Sequence, residues 1–147
     1  MTATYAAPRR WAPVRRTLRI PADLAELAPV RHLLADALER RGWSDDDAWR
    51  VLLAVQEALV NAVEHGSTAG DVVEVRISVR RDRAHVRLRD GGRPGASSPS
   101  GPAVAPPAGQ AHGRGRLIMQ ALADAVDSRA SGSGTRVGLA FLRRSPG

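Results

Sequence analysis

The stretch DVVEVRISVRRDRAHVRLRD sets the tightest limit on what this chain can fold into. Val73, Val75, Ile77 and Val79 alternate with Glu74, Arg76, Ser78 and Arg80, and Ala84, Val86 and Leu88 alternate with His85, Arg87 and Arg89. Period two with a single apolar set describes strands that bury one face and leave the other to water. The chain therefore needs a one-sided sheet and something apolar to cover it. Arg81-Asp82-Arg83 is the expected turn of the hairpin, although it lacks the usual Asn-Gly chemistry.

The cover comes from helical segments. Leu24, Leu27, Val30, Leu34 and Leu38 follow helical spacing between Ala22 and Arg41, with Pro29 placing the helix start near itself and Gly42 stopping it. A second helix opens at WSDDDAW, capped by Ser44 or Asp45, and its apolar set of Trp49, Leu52, Leu53, Leu59, Val60 and Val63 carries it to His65 before Gly66 ends it. RLIMQALADAVDS reads as a third helix through Leu117, Ile118, Ala121, Leu122 and Ala125. VRRTLRI at the start and GTRVGLAFL near the end read as further strands. The order is strand, helix, helix, strand, strand, loop, helix, strand. The expected class is α+β: a two-layer sandwich with a mainly antiparallel mixed sheet and helices on one face. Residues 1–13 are expected as a flexible arm, 14–142 as one domain and 143–147 as a tail. The Gly-, Pro- and Ser-rich stretch at about 91–112 has no apolar periodicity and is expected to be a lid loop.

Composition narrows the function. The formal net charge is +7, but the 22 basic residues are all Arg, spread over several segments, and aromatics are only 3%. Scattered charge without stacking residues argues against a nucleic-acid partner. There is no Cys, hence no disulfide framework and no thiolate chemistry. No apolar run reaches bilayer length and the first residues lack a signal-peptide core, so the expected location is the cytoplasm, with no membrane partner.

Within QEALVNAVEHG, Glu57, Asn61 and His65 recur four apart, which puts them on one stripe of a helix otherwise bordered by Val55, Ala58, Leu59, Val60, Ala62 and Val63. Polar groups held on so narrow a face either meet water or mark a site. There is no HExxH pair for zinc, and the oxygens of Glu57 and Asn61 suit Mg²⁺ better. Mg²⁺ in turn points to a phosphate substrate. No Walker motif is present. Gly113-Arg114-Gly115 immediately before a helix is nevertheless an anion site, where N–H groups face the ligand and glycine admits it closely.

EALVNAVEHG, RDGG, HGRG and GTRV, in this order and spacing, resemble the GHKL (Bergerat-fold) ATPases, and within them the short anti-sigma-factor serine/threonine protein kinases. The resemblance runs from Val14 to Leu142. It implies ATP and Mg²⁺ as cofactors. It assigns Asn61 to Mg²⁺, Glu57 to the catalytic base, Asp90 to the adenine amino group and Gly92 to room for the base. Gly113 and Gly115 would line the phosphates, a γ-phosphate contact would come from Arg114 or another arginine, and Thr135 would help hold the adenine end. His65 aligns as well, either capping the helix or touching the site. The implied partners are a sigma factor and an anti-sigma antagonist that becomes phosphorylated, together with a homodimer through the sheet side. Pro94 stands where a glycine is usual and Ala111 where some members carry Arg. These departures leave an alternative: a non-catalytic ATP-binding or partner-sequestering module.

Overall fold

A computed structural model describes residues 12–66, 70–91, 114–131 and 134–145. Five strands, β1 (Val14–Pro21), β2 (Val72–Val79), β3 (Arg83–Asp90), β4 (Ala125–Ser131) and β5 (Gly134–Leu142), form one sheet in the order β1-β2-β3-β5-β4. Every pairing between them is antiparallel, so the mixed character expected of the sheet is not seen among the described residues. The predicted lid falls almost wholly outside them, as does most of the N-terminal arm.

The three helices are α1 (Ala28–Arg40), α2 (Asp45–Asn61) and α3 (Arg114–Leu122). Pro29 sits in the first turn of α1, where its missing N–H is no loss, and a short 3₁₀ turn over Leu24–Glu26 precedes it. Gly42 takes φ +74°, the left-handed conformation that turns the chain out of α1. Ser44 caps α2 by accepting from the Asp47 N–H at 3.2 Å, and Asp45, Asp46 and Asp47 meet the positive end of the helix dipole.

The alternation in β2 and β3 is reproduced residue by residue. Val73, Val75, Ile77, Val79, Ala84, Val86 and Leu88 are buried against Val30, Leu34 and Leu38 of α1 and Val51, Val55 and Leu59 of α2, in one core that also takes in Leu139 and Phe141 of β5. Trp43 is buried at the α1–α2 turn, and its indole N–H donates to the Arg80 carbonyl at 2.7 Å, fastening that turn to the β2–β3 hairpin.

Three sequence expectations need correction. The third helix stops at Leu122, and Ala125–Ser131 is an edge strand, β4. The reason is tertiary: the Asp124 N–H donates to the Ala140 carbonyl of β5 at 2.9 Å, and its carboxylate accepts the Leu142 N–H at 2.6 Å. Arg83 belongs to β3 rather than to the turn. Trp49 is 61% exposed, facing away from the core that helical spacing assigned it to.

A buried ion pair, Arg50 with Asp47, lies on the covered side of the sheet. The Arg50 side chain donates to the Leu122 and Leu142 carbonyls at 2.9 and 2.6 Å and to the carboxylates of Asp47 and Asp124 at 3.2 and 3.3 Å. Asp47 also accepts the N–H groups of Arg144 and Ser145. A single guanidinium thus joins α2, the end of α3, β5 and the residues after it.

Candidate functional site

The site lies where α2 ends, α3 begins and the central strands β3 and β5 meet. Glu57 and Asn61 lie one turn apart near the C-terminal end of α2, both half-buried. Beyond Asn61 the helix widens into a π turn over Ala62–Gly66. π turns are uncommon and concentrate at functional sites. His65 lies within this turn, and its exposed ring is 3.9 Å from the Glu64 carboxylate.

α3 faces this pair through Gly115. A Cβ placed there would meet Glu57 Oε2 at 2.7 Å, Asn61 Oδ1 at 3.4 Å and Asn61 Nδ2 at 3.5 Å. The first distance is below any real contact, so the helix can sit this close only because residue 115 has no side chain. Gly115 is buried, whereas Arg114, the first residue of α3, is exposed. Sequence reasoning picked Gly115 for its place before a helix. That it also seats Glu57 and Asn61 has no local signal, because the three residues come together only in the fold.

Asp90 ends β3 and is buried, 5% exposed. One carboxylate oxygen accepts the backbone N–H of Thr135 on β5 at 3.0 Å. Thr135 is itself buried. The two residues named for an adenine end are thus joined across the two central strands. Gly92 and Gly113 lie outside the described residues.

The donor set fits a magnesium–nucleotide. Among the described residues no cluster of three or more His, Cys, Asp or Glu side chains encloses a metal. One or two protein oxygens with phosphates completing the shell is how Mg²⁺ is commonly held. The Gly115 gap leaves backbone, rather than a methyl group, facing the Glu57 and Asn61 side chains.

A model of the histidine kinase-like ATPase domain matches residues 20–141. The chain belongs to that family. A histidine-kinase-like ATPase domain is a nucleotide-binding unit. The serine-protein kinase RsbW of Bacillus velezensis is 36% identical over 78 residues, which are 51% of this chain and 48% of that protein. The chain thus spans about half the length of this curated relative. Among solved structures, the RsbU and RsbW domains of Rv1364c from Mycobacterium tuberculosis superimpose with a TM-score of 0.68 at 18% identity, over 90% of this chain and 33% of that one. At that identity the match speaks for the fold alone. The blue-light-activated histidine kinase of Erythrobacter litoralis EL346 gives 0.54 at 25% identity, over 69% of this chain and 32% of that one. No helix of this histidine-kinase-like domain is long and apolar enough to cross a membrane among the described residues.

Proposed function

We propose that this histidine-kinase-like domain is an ATP-dependent serine/threonine protein kinase of the anti-sigma type, acting on an antagonist protein and binding a sigma factor. The observation that carries the reading is the meeting of Glu57 and Asn61 at Gly115, with Asp90 tied to Thr135 on the neighbouring strands. ATP supplies the phosphoryl group, and Mg²⁺ neutralises charge on it. Asn61 offers its side-chain oxygen to the metal. Glu57 accepts the proton of the attacking Ser or Thr hydroxyl. Asp90, fixed by the Thr135 N–H, is the acceptor for an adenine amino group. Holding these groups in place is most of what phosphoryl transfer asks of a protein.

Asn61→Ala tests the metal assignment. Its Mg-dependent ATP affinity should fall at least about tenfold, or about 1.4 kcal/mol, in a folded variant followed by titration calorimetry. Unchanged Mg-ATP affinity would count against the site.

Gly115→Ala tests the close seating of α3. The methyl group collides with the end of the flexible Glu57 side chain, so the carboxylate swings aside and the fold survives. Melting temperature should move by only a few degrees, while transfer falls on the order of 10²-fold through a displaced base. A variant that transfers phosphate at the wild-type rate would show that Glu57 need not stay where α3 now holds it.

A further inference from the structure

The face of the sheet turned away from Glu57 and Asn61 has its own organisation. Two grooves of about 510 and 380 Å³ lie on it. Strand register builds a row across all five strands: Arg19 opposite Glu74, Glu74 opposite Arg89, Arg89 opposite Arg136, and Arg136 opposite Arg129. In the next row Arg76 faces Arg87. Arginines that looked scattered along the sequence are thus gathered on one surface by period-two alternation.

Three of these juxtapositions are unfavourable: Arg76 with Arg87, Arg89 with Arg136, and Arg136 with Arg129. Like charges directly opposite on neighbouring strands destabilise a sheet. The nearest carboxylates are already engaged along their own strands, Glu74 by Arg76 at 2.9 Å and Asp127 by Arg129 at 3.7 Å. Arg87, Arg89 and Arg136 have no carboxylate partner among the described residues. A sheet that keeps opposed arginines where Thr or Glu would be more stable has a surface shaped by something other than its own folding.

We propose that this face docks an acidic patch of a partner protein. Guanidinium forks grip carboxylates bidentately, and a flat two-row array matches a protein surface. A second copy of this chain, the homodimer through the sheet side that the resemblance implies, is a poorer occupant, because face-to-face pairing would set arginines against arginines. Nucleic acid fits less well too. No helix or ribbon projects from the face to enter a groove, no aromatic side chain lies on it among the described residues, and Glu74 and Asp127 would oppose phosphates. The proposal does not rest on the nucleotide site.

Charge reversal at the face, with a control elsewhere, tests it. Arg89→Glu/Arg136→Glu is compared with Arg31→Glu/Arg40→Glu on α1, which changes net charge equally. The probes are an oligo-glutamate peptide and a DNA duplex of about 20 base pairs, at about 0.15 M salt. The wild type should bind the peptide saturably and more tightly than the duplex. The sheet-face variant should lose at least about tenfold in peptide affinity and the helix variant less than about twofold. Arg136→Thr should weaken the peptide and raise the melting temperature, because it relieves two opposed pairs. The proposal falls if both reversals weaken the peptide equally, if the peptide does not saturate, or if the duplex is held more tightly through the same arginines. It also falls if the wild type forms a dimer that the sheet-face reversal abolishes, or if Arg136→Thr lowers stability and leaves peptide binding intact.

Discussion

Glu57→Gln should leave ATP binding nearly unchanged and slow phosphate transfer to a protein hydroxyl by roughly 10²–10⁴-fold, the usual range for losing a positioned base. Glutamine keeps the shape of the side chain beside Gly115 and a carbonyl oxygen for hydrogen bonding. It cannot take up a proton near neutral pH. In the proposed function, nucleotide binding draws instead on Asn61, Asp90 and the backbone at Gly115, which the substitution leaves alone. The loss therefore belongs to the transition state and amounts to about 3–5 kcal/mol of barrier. Labelled phosphate appearing in the acceptor protein under single-turnover conditions is the measurement, because slow hydrolysis by itself could reflect stray water. Near-wild-type transfer by Glu57→Gln would remove Glu57 from the chemistry. A wild type that binds ATP and captures a partner but transfers nothing would make the domain a sequestering module.

The second large effect is on stability. Arg50→Ala should cost about 3–5 kcal/mol, the range for stripping one member from a buried ion pair. The Arg50 and Asp47 side chains are only 7% and 4% exposed. Removing the guanidinium takes a donor from the Leu122 and Leu142 carbonyls and the counter-charge from two carboxylates. Out of a total stability of roughly 5–15 kcal/mol, such a loss should lower the melting temperature by on the order of 10 °C. Arg50→Lys keeps the charge but cannot reach four acceptors, so it should fall between the two. The same network predicts acid behaviour. Burial by itself pushes the Asp47 carboxyl up, but the Ser145 and Arg144 N–H groups and the Arg50 guanidinium more than offset this and hold it below its ordinary 3.8. Asp124 is held down against burial in the same way by the Leu142 N–H, Arg50 and Arg144. With folded values below unfolded ones, this stabilisation is full above about pH 4 and is lost as pH falls through the folded values. Acid unfolding curves should show that loss in the wild type and a smaller but still present loss in Arg50→Ala, because the backbone N–H donors to both carboxylates remain.

Much of this was legible because it is local. The one-sided hairpin, the Ser44 cap, the Pro29 start of α1 and the pairing of Glu57 with Asn61 all follow from spacing within a few residues. What was not legible depends on partners distant in sequence. β4 is an edge strand of small and polar residues, and its apolar spacing continues that of α3. Only the pull of Asp124 towards β5 shows where the helix must stop. Arg50 interrupts an apolar face and gives no hint in sequence that it is satisfied by carbonyls from two other elements. Trp49 counts as apolar in any periodicity, yet it points outward. The arginine rows could have been found from the strand alternation already read, had the outward residues been traced across the strands together.

The strand order has a consequence for how the molecule is made. β5 lies between β3 and β4, so the middle of the sheet is filled last. A ribosome adding roughly 5–20 residues per second needs seconds to travel from Asp90 to Thr135. Until then β3 has an unpaired edge, Phe141 and Leu139 are missing from the core, and the Asp90 carboxylate has no Thr135 N–H to meet. The two helices and three strands made first must wait as an incomplete layer, and the bond between Asp90 and Thr135 cannot form during synthesis before the last strand has slotted in.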